Sequence, residues 1–367
     1  MNNHLSDIAL SFVRGLSCRA IRHIYALGYS ADDLFAMDRV ELKSLFGNHQ
    51  EIVESILGKT TMARAEEELC FVEKHGIRVL HCKDNDFPQR LNGPNCEDTP
   101  PLLYYKGNTD LNNPRCVGVV GSRKATDYGR QMTRQLVEGM QGENVLVVSG
   151  LAYGIDTAAH ENALSYQLPT VAVVAHGLDQ IYPAQNRNLA KRMVQGNGGI
   201  LTEYPSKTRI HPSYFPARNR IVAALSDVVT VVEAAKTGGA LITANLAWGY
   251  NREVCAFPGR VGDKTSEGCN GIIANNKASL IMGAKELFFV MNWERNEPTV
   301  GSQQTLALDL DANESILLKL LSDNGEMTLD QLGQSANMDR PTLVSALLNL
   351  ELKNFIQALP GRRYKAW

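Results

Sequence analysis

Apolar residues follow two different periods along this chain. Over residues 5–57 the spacing is helical: Ile8, Leu10, Phe12 and Val13 precede Gly15-Leu16-Ser17, and Ile21, Ile24, Tyr25 and Leu27 precede Gly28. Ser30 and Asp38 stand where N-caps belong, ahead of helices expected at 31–37 and 40–46. The pattern predicts short helices around a Gly-containing turn, the plan of a helix-hairpin-helix or SAM-like module. Between 62 and 113 a helix closes at 69–75, short strands are expected at 77–81 and 102–105, and Pro88, Pro94, Pro100 and Pro101 mark turns. From 116 onward the period gives way to continuous apolar runs at 116–120, 145–149, 170–175, 199–201, 228–232 and 254–257, with helical stretches between them. Strands apolar on both faces that alternate with helices belong to a parallel sheet covered on both sides. The expected core is therefore doubly wound α/β, with ligands bound beyond the carboxyl ends of its strands.

Periodicity is lost over 292–308, around Pro298, Gly301 and Ser302, which reads as a linker. Beyond it come helices at 315–321, 329–336 and 340–353, the last capped by Asp339. A strand-turn-strand follows at 355–359 and 362–367 around Pro360-Gly361. Three helices and a hairpin make a winged helix. The expected domains are 1–65 (helical), 66–291 (sheet core) and 309–367 (winged helix).

Composition narrows the class. The chain has 367 residues, 44% hydrophobic and 21% charged, ordinary values for a globular protein. No run approaches the ~18 apolar residues of a membrane-spanning helix, and Met1-Asn2-Asn3-His4 lacks the basic and apolar regions of a signal peptide. The seven cysteines are odd in number and form no CxxC, so neither a disulfide framework nor a zinc knuckle is legible. A reducing cytoplasm is the expected compartment. The net charge of −2 argues against a nucleic-acid binder until it is divided along the chain. Residues 1–113 hold 12 Lys/Arg and 16 Asp/Glu, net −4; residues 114–290 hold 18 and 13, net +5; residues 291–367 hold 7 and 10, net −3. The sheet core is the part suited to an anion. The acidic N-terminal helices fit a structural or docking role better than a grip on DNA.

Candidate chemistry lies in the loops after the strands. After the first, Gly121-Ser122-Arg123-Lys124 offers close backbone approach, a hydroxyl and a guanidinium fork at the start of a helix expected near Thr126. It is neither a Walker A loop nor GxGxxG. After the second, Ser149-Gly150-Leu151-Ala152-Tyr153-Gly154-Ile155-Asp156 has glycines at a strand end, with Asp156 as a candidate helix cap and His160 as a structural histidine. Phe215-Pro216-Ala217-Arg218-Asn219-Arg220 sets arginines for phosphates beside a ring on which a base can stack, a combination suited to single strands. Gly238-Gly239 opens another phosphate-compatible turn. Glu203 and Glu233 fit capping or ion pairing better than acid–base work. No HExxH, GxSxG, recognisable Cys-His pairing or acidic metal cluster is present, and no cofactor is expected.

Several motifs in one order resemble the DprA (Smf) family, bacterial DNA-processing proteins of natural transformation. These are GSR at 121–123 with Tyr128-Gly129, SGLAYGID at 149–156 with Ala159-His160, GLD at 177–179 with Tyr182-Pro183, FPARNR at 215–220, LITA at 241–244, PG at 258–259 and GCN at 268–270. The resemblance implies an extended Rossmann-like core that binds single-stranded DNA, protects incoming DNA and loads the RecA recombinase. It implies a homodimer made through the core, and the lack of a recognisable catalytic constellation leads us to expect a DNA-binding mediator rather than an enzyme. It places Gly121, Ser122 and Arg123 at a phosphate-holding turn, and Phe215, Arg218, Asn219 and Arg220 along the DNA pocket. Charge and loop position add Lys124, Arg187, Lys191, Lys236, Gly238 and Gly239. The chain departs from the family pattern at Gly238-Gly239-Ala240, where a hydroxyl is expected. The winged helix carries Arg362, Arg363 and Lys365 on its wing but only Arg340 and Lys353 on its third helix, which weakens a transcription-factor reading. An enzymatic alternative, a nucleotide-processing phosphoribohydrolase, lacks its Pro-Gly-Gly-x-Gly-Thr signature around 236–244.

Overall fold

The computed structural model describes residues 4–294, 311–353, 355–359 and 361–366, without the side chains of 312 and 352. The linker expected at 292–308 lies, from 295 on, outside them. The chain divides into two compact units, Met1–Asn296 and Glu297–Trp367.

The first unit is built on nine strands: β1 (Arg78–His81), β2 (Leu102–Gly107), β3 (Arg115–Val120), β4 (Val145–Ser149), β5 (Thr170–Val173), β6 (Gly198–Thr202), β7 (Val228–Val231), β8 (Glu253–Ala256) and β9 (Ser279–Leu280). They form one sheet in the order β1-β2-β6-β5-β4-β3-β7-β8-β9. The strands from β6 to β9 in that order are all parallel, whereas β2 runs antiparallel to β6 and β1 antiparallel to β2. The parallel part of the sheet starts at β3, winds outward through β4, β5 and β6, then returns to lay β7 on the other side of β3. Above that reversal the loops after β3 and β7 diverge to opposite faces and leave a crevice. The sheet is buried on both faces, as its continuous apolar strands require: Val117 and Val119 pack with one layer of helices, and Cys116 and Val120 with the other.

The helical N-terminus has its own core, formed by Leu10, Ile21, Leu34, Leu42 and Ile56 among others. Ser30 and Asp38 cap their helices as the sequence suggests, and Ser17 caps helix Cys18–Ala26 as well. Helix Leu5–Ser11 also buries Ile8 and Ala9 against Ala65, Val72, Leu102 and Tyr104, so these helices dock on the antiparallel edge of the sheet. Helix Met62–Lys74 runs without a break across residue 65. Among the described residues no helix is long and apolar enough to cross a membrane.

The second unit has helices Ala312–Asn324, Leu329–Ala336 and Arg340–Leu352, and strands β10 (Met327–Thr328), β11 (Ile356–Leu359) and β12 (Arg363–Ala366) in the order β10-β12-β11. It is a winged helix around Leu317, Leu321, Leu332, Leu347 and Leu350. Two of its few cations are already matched: Lys353 Nζ lies 2.7 Å from buried Glu314 and Arg363 Nη1 lies 2.6 Å from Glu326.

Candidate functional site

The loops after β3, β4 and β7 enclose a cleft of about 340 Å³ over the strand-order reversal. Ser122 N–H donates to the Glu233 carbonyl (2.8 Å), and Ile155 N–H donates to the Ser122 carbonyl (3.2 Å), so the three loops are stitched together by backbone. This closeness explains the glycines. A Cβ on Gly121 would stand 2.5 Å from Ile155 Cγ1. Gly154 has φ 79, and its Cβ would lie 2.2 Å from the Ser122 carbonyl oxygen, a position open to no other residue.

Arg123 and Lys124 project from the first loop and are exposed. The Arg123 guanidinium carbon lies 5.4 Å from the centre of the Phe215 ring. That stacking orients the fork and leaves its N–H edge open, and no carboxylate pairs with it among the described residues. Ser122 Oγ accepts the Lys124 N–H (3.1 Å) and shapes the turn. From the β7 side, helix Gly239–Gly249 begins at the cleft with no side-chain cap, so its first-turn N–H groups and dipole face the opening.

Arg218 forms the wall between them. It is 4% exposed. Its Nη1 donates to the carbonyls of Gly150 (2.7 Å) and Val173, and its Nε to Asn219 Oδ1 (3.2 Å). Asp156 Oδ2 takes the N–H groups of Gly150 (3.1 Å) and Ala152 (3.3 Å). Asp156 therefore ties down the β4 loop rather than capping its own helix. Burial pushes the Arg218 pKa down to about 10, which leaves it charged at neutral pH, with Asp156 as its nearest opposing influence. Burial pushes the Asp156 carboxyl up, and Arg218 opposes that.

Of the residues singled out from the sequence, Gly121, Ser122, Arg123, Lys124, Arg218, Asn219, Gly238 and Gly239 line this one cleft. Phe215 stands at its lip through Arg123, with Tyr182 5.6 Å away, ring to ring. The structure takes three others elsewhere. Arg220 turns to the opposite side of its helix, where it pairs with Glu203 and approaches Cys18 Sγ at 3.9 Å. Lys236 borders a separate depression beside Leu241 and Asn270. Arg187 lies with Lys191 in another groove, on helix Arg187–Gln195. The lining also includes Ala152, Thr237 and Thr243, which sequence reasoning passed over. The motifs around 149–156 and 238–244 held the signal for them.

The remaining titratable groups have structural duties. Glu233 is buried and accepts from Thr126 N (2.9 Å) and Oγ1 (2.8 Å), holding the start of helix Asp127–Glu138. Among the described residues no group of three His, Cys, Asp or Glu could hold a metal ion. His160 is fully buried, shares a 2.7 Å hydrogen bond with Thr170, and is held neutral by burial, its pKa pushed down to about 3. Because the unfolded imidazole titrates near 6.5, this group stabilises the fold above that pH and loses its contribution as pH falls from about 6.5 toward 3. By linkage His160 alone removes about 2 kcal/mol between pH 7 and pH 5. His4, whose pKa is raised by its hydrogen bond to Asp7, acts in the opposite direction. Urea midpoints at pH 7 and pH 5 for the wild type and His160→Gln check this: the variant's difference between the two pH values should be smaller by that amount.

Comparison with known proteins agrees with this architecture. Residues 78–292 match the family described as DNA recombination-mediator protein A, and residues 302–362 match the DprA winged helix domain. Protein Smf of Synechocystis sp. is 31% identical over 362 residues, covering 89% of this chain and 89% of its own length. DNA processing protein DprA of Streptococcus pneumoniae is 40% identical over 190 residues, 52% of this chain and 66% of that protein. The X-ray structure of the S. pneumoniae protein superposes with TM-score 0.68 at 30% identity, over 80% of this chain and 99% of that one. DNA processing protein A of Helicobacter pylori, described for its single-stranded DNA binding mode, superposes with TM-score 0.52 at 30% identity, over 59% and 97%. With the core and the winged helix each matched by a model of that family and a relative 31% identical over most of both lengths, this chain belongs to the DNA recombination-mediator protein A (DprA/Smf) family.

Proposed function

We propose that the chain binds single-stranded DNA in the cleft over β3 and β7, shields incoming DNA and loads RecA onto it. The observation that carries the reading is the convergence of exposed Arg123 and Lys124, the open N-terminus of helix Gly239–Gly249 and buried Arg218 on one cleft, with an aromatic lip at Phe215 and Tyr182. Phosphates fit the cations and the helix end, and unstacked bases fit the rings. The carboxylate in the lining, Asp156, is committed to the β4 loop, which leaves the cleft suited to holding a strand. The DNA-binding core then runs through 291, with the helical module ahead of helix Met62–Lys74 and the winged helix at 309–367 as accessory domains. With Lys353 and Arg363 already paired and the domain acidic overall, a protein contact there is favoured over duplex binding.

The homodimer belongs to the same reading. Strand β9 ends the sheet, so one of its edges is unpaired. Leu280 and Met282 are 47% and 64% exposed there, and Trp248, 60% exposed, is joined to this edge by Lys277 over its ring at 5.6 Å. An apolar edge strand of this kind is protected by pairing with a second copy. Leu280→Asp should shift the chain to monomer in multi-angle light scattering, with unchanged circular dichroism. An unchanged mass would remove this surface from the dimer.

RecA loading is tested directly by coating a single strand with single-strand-binding protein and following RecA ATPase. Adding the chain should shorten the lag. A lag that does not change contradicts the loading role.

A further inference from the structure

Helix Arg187–Gln195 carries a stripe that the cleft does not use. Arg187, Ala190, Lys191 and Val194 recur at three- and four-residue spacing and so share one face. That face borders a groove of about 360 Å³ that has no lining residue in common with the cleft. Lys106 enters from β2, where it stands directly opposite Ile200 of β6 and therefore on the same side of the sheet. The floor is aliphatic, from Leu178, Ile181, Val194 and Ile200, and the rim holds three cations, Lys106, Arg187 and Lys191. No Asp or Glu lines the groove, and none of the three cations has a carboxylate partner among the described residues. Three like charges around one groove favour an anionic occupant. An apolar floor ringed by like charge complements a ligand that is acidic and apolar together.

We infer that this groove docks an acidic peptide segment bearing a large apolar side chain, supplied by a partner protein. A nucleic-acid strand suits it less, because the lining has no aromatic ring on which a base can stack, in contrast to the lip at Phe215 and Tyr182. The apolar side chain enters between Ile181 and Val194 and the carboxylates meet Arg187, Lys191 and Lys106. The partner is thereby held beside the DNA cleft without occupying it.

The test uses the full chain and a fluorescein-labelled peptide of four aspartates followed by leucine and phenylalanine, read by anisotropy. Saturable binding is expected. Arg187→Glu and Lys106→Glu should each weaken it by roughly fivefold or more, and Val194→Asp comparably, while circular dichroism stays unchanged. Replacing the peptide's leucine and phenylalanine with alanine should cost a similar factor. Lys106→Glu should bind oligo-dT within about twofold of the wild type. Three results would overturn the inference: peptide binding unaffected by these substitutions, equal binding of the alanine peptide (a surface for any polyanion), or loss of oligo-dT binding in Lys106→Glu, which would make the groove part of the nucleic-acid path.

Discussion

Arg218→Ala lowers stability by about 2–4 kcal/mol, the cost of leaving buried carbonyls without their donor and emptying the place of a buried guanidinium. The substitution leaves Asp156 in the interior without its guanidinium and deprives the carbonyls of Gly150 and Val173 of a donor. Arg218→Lys restores the charge but not the fork that reaches two carbonyls and Asn219, so it recovers only part of the loss. The measurement is the urea midpoint with the denaturant slope held in view. A loss below about 1 kcal/mol for the alanine variant would mean that the β4 loop is held by other contacts. Any fall in DNA affinity for this variant is then read as a collapsed cleft wall rather than a lost phosphate contact.

Arg123→Ala has the opposite profile. The side chain is exposed and has no hydrogen bond or ion pair among the described residues, so stability should stay within about 0.5 kcal/mol. Affinity for oligo-dT should fall by roughly 10- to 100-fold, the range for losing a charge-assisted phosphate contact together with the ring orientation that Arg123 gives Phe215. Phe215→Ala should show a smaller loss of the same kind, since one stacked base contributes about 1–3 kcal/mol. The two arginines thus separate by readout: one moves the unfolding midpoint, the other moves only the binding curve.

How much of this was legible in the sequence follows from which forces are local. The central strands announced themselves because burial on both faces writes continuous apolar runs, and the strand-end glycines announced the loops because only they permit the backbone approach seen at Gly121 and Gly154. The two-residue β9 was too short to leave a pattern. Strands were expected at 77–81 and 102–105, and only tertiary pairing shows that they extend the main sheet, the second antiparallel to β6 and the first antiparallel to the second. The site residues were found as a motif, but their roles depended on helix geometry. Arg218 and Arg220 sit two residues apart in helix Tyr214–Leu225, hence about 200° apart around its axis, so only one of them can face the cleft. Arg187 and Lys236 carried the right charge, but charge alone does not specify which opening a side chain borders.

The central claim is that phosphates of a single strand are held at the turn 121–124 against the start of helix Gly239–Gly249. Its most direct measurement is the dependence of oligo-dT affinity on salt for the wild type and Arg123→Ala. A strand engaging about four phosphates gives a log–log slope near −2.8. Arg123→Ala should flatten that slope by about 0.7, the share of one phosphate, and lower affinity throughout the range. Identical slopes and affinities for the two proteins would contradict the placement of the strand in this cleft.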